Sequence, residues 1–255
     1  MIAKLFTDHR PLMVAGVVSF VCGIVAIILT QIDPTMILGI NRWIKPMKFF
    51  ISIAIFLWTI AILLDQLKGY ERFSRIISWT MIMVFTGEMI GVAGQAARGT
   101  TSHFNITTPD SAIVYALMGV LIVINSLLVV AIAVVYFRDG FGLPPAVLWG
   151  IRLGLLLFIA GSIQGGYMSA QLGHTVGAAD GGPGLPLTNW STVAGDLRVA
   201  HFLGLHSIQI MPLVGILVDR MKLPMASVYG VAILYVALFV AVLVQALIGR
   251  PLISI

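Results

Sequence analysis

Charge is scarce in this sequence. Only 10% of its 255 residues are Asp, Glu, Lys or Arg, against about a quarter in an average soluble domain. A chain so poor in charge cannot clothe a large water-facing surface. Cysteine is nearly missing: the single Cys22 can form no internal disulfide, so no disulfide framework holds the fold and thiols say nothing about redox compartment. The signatures of many soluble enzymes are also missing. There is no phosphate-binding loop, dinucleotide fingerprint, nucleophile elbow, His-Glu-x-x-His or Cys-x-x-Cys. The last apolar stretch, 225–248, has no lysine, which argues against a retinal Schiff base.

What is present is hydrophobic: 59% of the residues are apolar. No soluble core of this size could hide that much apolar surface, whereas lipid can. A spanning helix needs about 20 apolar residues. Seven stretches qualify, at 12–31, 44–65, 74–97, 111–137, 146–172, 194–218 and 225–248. Most are separated by helix-stopping chemistry: Asp33-Pro34, Lys68-Gly69, Thr108-Pro109-Asp110, Pro144-Pro145 and Lys222 with Pro224. The expected fold is an all-α integral membrane protein, a bundle of about seven transmembrane helices forming a single domain over 1–255. Lys4 and Arg10 before the first stretch resemble a signal peptide. That stretch is longer than a signal core and no small-x-small site follows it, so it reads as a retained membrane helix. No internal repeat is evident, and the segment Trp43-Ile44-Lys45-Pro46 has no twin.

The formal charge is +5. The basic residues sit at the ends of apolar stretches, which points to membrane lipid as the partner and away from nucleic acid. With seven spans, nine Lys and Arg fall on the N-terminal side and six on the other. The excess predicts a cytoplasmic N-terminus and an external C-terminus, and a bacterial inner membrane is the expected location.

Polar residues in membrane helices are costly and face the protein interior. Three spans carry them in helical register. The third has Glu88, Gly91, Gln95 and Arg98; the fifth has Gln164, Tyr167, Gln171 and His174; the sixth has Arg198, His201, His206 and Gln209. At 1.5 Å per residue, Glu88 lies about 14 Å from its helix end, Gln164 about 12 Å and His201 about 10 Å. These depths suggest a common layer near the external face. His103 follows the third span, and Arg42, Lys45 and Lys48 open the second.

Four histidines, His103, His174, His201 and His206, thus collect near one end of the bundle. Neutral imidazole is the commonest protein metal ligand. With Glu88 the set would suit a transition metal ion, Cu, Zn or Fe, while Gln95, Gln164 and Gln209 would orient the imidazoles. A haem b held by two histidines is the close alternative, with Arg42, Lys45, Lys48, Arg98 and Arg198 available to its propionates. The first function expected is a redox protein acting on a lipid-soluble substrate such as a quinone. The second is a metal-dependent intramembrane lipid hydrolase with Glu88 as catalytic base. The third is a non-catalytic transporter or receptor with Glu88 as its coupling site. Between the enzymes, an oxidoreductase is preferred. Against all of these stands helix packing, which also buries histidines, and Lys45 and Lys48 also fit as interfacial anchors beside Trp43.

Overall fold

Among the described residues, seven helices are long and apolar enough to cross a membrane, and the chain is an all-α membrane bundle. A computed structural model describes residues 2–254. After a short helix α1 (Ile2–Asp8) come α2 (Arg10–Ile32), α3 (Ile44–Asp65), α4 (Glu71–Ala97), α5 (Pro109–Arg138), α6 (Pro145–Ala170), α7 (Leu197–Arg220) and α8 (Ala226–Leu247). At 1.5 Å per residue even a 22-residue helix such as α8 reaches about 33 Å, enough for a hydrocarbon core of about 30 Å. No span boundary differs from the sequence expectation by more than three residues. Large apolar side chains point outward along the spans: Ile90 is 70% exposed and Ile163 71%. Such faces are stable against lipid and not against water.

The helix ends have local causes. Pro34 forbids a helical conformation at Asp33, which caps α2 in an extended form. Pro145 opens α6 in the first turn, where its missing N–H costs nothing. Asp196 caps α7, its carboxylate accepting the Arg198 N–H at 3.0 Å. Between α2 and α3, β1 (Met36–Ile37) and β2 (Ile40–Asn41) pair antiparallel. Their two-residue turn places both Leu38 and Gly39 at positive φ, as a type I′ hairpin requires. Between α6 and α7, β3 (Thr175–Val176) pairs antiparallel with β4 (Gly195–Asp196).

The chain divides into two compact units, Met1–Leu128 and Val129–Ile255, within what the sequence reads as one domain. In the first, α2 and α3 pack through small residues. A Cβ on Gly16 would lie 2.3 Å from the Trp58 ring, and the space lets the indole N–H donate to the Met13 carbonyl at 3.2 Å. Ser19 donates across to the Phe50 carbonyl at 2.8 Å. Helix α4 packs against this pair.

In the second unit α6 and α7 form the tightest pair. A Cβ on Gly150 would meet the Met211 carbonyl at 2.5 Å, and one on Gly204 would meet the Gly161 Cα at 2.5 Å. The helix backbones themselves touch, as in membrane packing driven by small residues. Ser207 donates to the Gly154 carbonyl at 2.8 Å, and α8 completes the unit with Tyr235 donating to the Leu203 carbonyl at 2.6 Å. Each unit therefore contains a closely packed helix pair, joined through a short antiparallel ladder, stitched by a serine and flanked by a third helix. The segment around Trp43 thus has a counterpart in the β3–β4 connection, which the sequence alone does not reveal. The likeness lies in backbone connectivity rather than in residue identity.

Candidate functional site

The expected site residues fall into two sets. Arg42, Lys45, Lys48, Glu88, Gln95, Arg98 and His103 belong to the first unit. Gln164, His174, Arg198, His201, His206 and Gln209 belong to the second.

In the first unit, burial singles out Glu88, which is 3% exposed. It sits on α4 among the buried Val84, Phe85 and Val92. Lys45 is the charged group acting on it. Its conceivable partner Arg98 is turned elsewhere, donating to the Gln95 amide oxygen at 3.0 Å and pairing with Asp110. Gln95 is buried and donates to Ser111 at 3.2 Å. Arg42 pairs with Asp33 and donates to the Ala97 carbonyl at 3.1 Å. The Trp43 indole also donates to Asp33, at 2.7 Å. That indole bond, with the Thr35 and Arg42 bonds, holds the Asp33 carboxyl well below the usual range. Lys45 lies over the Phe49 ring, and His103 packs edge-on against the same ring with centroids 5.5 Å apart. The other ring neighbours of His103 are Phe104 and Tyr115, and Ser102 lies 3.1 Å from its Nδ1. Lys48 opens α3 one turn after Ile44.

In the second unit, His174 and Arg198 belong to a carboxylate network that folds the loop before α7. The Asp196 side chain is fully enclosed. It accepts from the Ser191 N–H at 2.8 Å and from the Arg198 Nε at 2.9 Å. Arg198 also donates to the Asn189 carbonyl. Asp180 accepts the Thr175 N–H at 2.9 Å and lies 3.2 Å from the His174 Nδ1. Burial opposes ionisation of Asp196, but the Arg198 bonds and charge outweigh it and keep the carboxyl below its ordinary range.

His201 is placed differently. Its Nδ1 lies 2.9 Å from the Gly161 carbonyl across the α6–α7 seam. A carbonyl oxygen only accepts, so Nδ1 carries the hydrogen, and in its neutral form the ring has its lone pair at Nε2. Gly165 makes room for the ring: a Cβ there would lie 2.6 Å from the His201 Cε1. Beside it on α6, Gln164 is 6% exposed and donates to the Leu197 carbonyl at 3.1 Å, while its Oε1 meets no donor. His206 packs on Phe202 with ring centroids 4.2 Å apart and hydrogen-bonds with Gln209.

Among the described residues, no group of three or more His, Cys, Asp or Glu side chains is arranged to hold a metal ion. The three arginines expected to face a ligand are each engaged by an aspartate, namely Asp33, Asp110 and Asp196. Those aspartates read in sequence as loop and helix-end residues. Only the Asp196-x-Arg198 spacing hints at pairing, and nothing marks Asp180. The chain matches no protein-family model, no curated protein and no solved structure.

Proposed function

We propose that this chain is a membrane haem protein in which His201 would hold the haem iron through Nε2. One observation carries the reading: the His201 Nδ1–H is committed to the Gly161 carbonyl at 2.9 Å, which fixes the ring orientation and leaves Nε2 as a lone-pair donor. Metal-bound histidines are held in this manner, their second nitrogen donating to a carbonyl or carboxylate. A haem iron takes four donors from its porphyrin and needs as few as one from the protein, so it asks for no cluster of protein ligands. A haem bound here would supply one-electron chemistry, and a lipid-soluble quinone reaching it through the bilayer is the electron partner that suits the setting. The positive-charge bias supports a cytoplasmic N-terminus and a site toward the outside of a bacterial inner membrane.

The test is the absorption spectrum of the full chain, expressed with ample haem and purified in mild detergent. Wild-type protein is expected to show a Soret band that His206→Ala keeps and His201→Ala loses. Gly165→Ala, whose Cβ would collide with the His201 ring, should lower haem retention without touching a ligand. Folded, monodisperse wild-type protein with neither Soret band nor iron would sink the proposal. The carrier reading would then lead, on the strength of the buried Glu88 beside Lys45.

A further inference from the structure

Arg152 lies inside an apolar span, in the second unit and far along α6 from His201. It is seven residues beyond the helix start at Pro145, about 10 Å along the axis. Its guanidinium stands over two aromatic rings, 5.3 Å from the Phe137 centroid and 5.1 Å from that of Trp149. Its Nε donates to the Tyr136 carbonyl at 2.9 Å. That carbonyl is one of the last four of α5, which have no partner within the helix, and a cation there also meets the negative end of the helix dipole. Among the described residues no carboxylate forms an ion pair with Arg152.

The Nε bond explains the position of the guanidinium and leaves its two Nη groups uncommitted. Nη groups with no acceptor within a span are costly unless something outside the chain meets them. Phe137 is 42% and Tyr229 39% exposed, and Tyr229 packs on Trp149 with centroids 5.6 Å apart. The amphipathic Trp149 and Tyr229 rings are of the kind that sits at headgroup level. Four basic residues (Arg138, Arg152, Arg220, Lys222) and two acidic ones (Asp139, Asp219) lie at this end of the unit.

The geometry points to a site for an anionic phospholipid, whose phosphate is gripped by the Arg152 Nη groups between Phe137 and Trp149. A guanidinium fork matches two phosphate oxygens at once. The surplus of cations at this end selects a lipid with net negative charge over a zwitterionic one.

Native mass spectrometry of the delipidated full chain, titrated with phosphatidylglycerol and with phosphatidylcholine, tests this. Wild-type protein should retain phosphatidylglycerol preferentially. Arg152→Gln should weaken that retention about five- to tenfold, and Lys222→Gln should change it less than about twofold. Equal losses in both variants would mean diffuse attraction and would overturn the site, as would an unchanged Arg152→Gln. Displacement of the lipid by millimolar inorganic phosphate would assign the pocket to free phosphate and overturn the lipid assignment. If Arg152→Gln fails to fold, Trp149→Leu decides: weaker phosphatidylglycerol retention upholds the site, and wild-type retention removes it.

Discussion

Gly161→Ala should damage this protein far beyond what one methyl group suggests. The new Cβ would lie 2.8 Å from both the C and Cα of Gly204 and 3.0 Å from the Leu205 N. All three are backbone atoms of α7, so no side chain can swing aside. Relief requires the helices to separate by several tenths of an ångström. Overpacking of this kind costs about 1–3 kcal/mol. The same carbonyl that holds His201 belongs to Gly161, and weakening that bond adds about 1 kcal/mol. The sum is a loss of roughly 2–4 kcal/mol. The control is Gly166→Ala, five residues on, where a Cβ meets nothing within 4 Å. There the substitution should gain about 0.5–1 kcal/mol from the lower entropy of the unfolded chain. Unfolding both variants in mixed micelles, followed by far-UV circular dichroism, measures the difference. Equal stability of the two variants would refute direct backbone contact along α6 and α7.

Asp196→Asn should release the loop before α7, because it leaves Arg198 without its buried partner. About 3–5 kcal/mol of local stability should go, seen as faster hydrogen exchange at the Ser191 and Arg198 amides that Asp196 now accepts. The same amides report a pH effect in the wild type. A carboxyl held below its unfolded value near 3.9 stabilises fully above that value and loses its contribution as pH falls through the lower folded one. Protection should therefore persist from neutrality to about pH 5 and fail only below about pH 4; failure near pH 6 would refute the assignment to Asp196. Gln164→Leu removes a buried amide whose Oε1 has no donor, so stability should stay within about 1 kcal/mol of wild type. A much larger loss in the same micelle assay would show that the bond to the Leu197 carbonyl outweighs the unmet Oε1.

The membrane spans were legible because their cause is local. Lipid offers no hydrogen bonds, so each crossing segment must be apolar for about 20 residues and satisfy its own backbone. Residues such as Pro34 and Pro145 mark helix boundaries by chemistry that acts within one turn, whereas Asp196, the cap of α7, lies inside the span expected from sequence. Burial of Glu88, Gln95 and Gln164 was legible too, since a polar group facing lipid is costly, but Tyr167 and Gln171 of the same expected stripe turn outward.

The partners were not legible. Sequence placed Arg42, Arg98 and Arg198 at the ends of spans but could not tell a ligand-facing arginine from a paired one. Asp33 is nine residues from Arg42, and Asp110 is twelve from Arg98, separations at which only the course of the connecting chain decides contact. His201 and His206 look alike in sequence, on one helix and five residues apart. Composition and periodicity settled that this chain is a seven-span helical protein with polar groups buried in its helices. Tertiary structure alone decided which groups meet, because the approach of α7 to α6 through glycine brings the Gly161 carbonyl to His201, and that contact spans forty residues of chain.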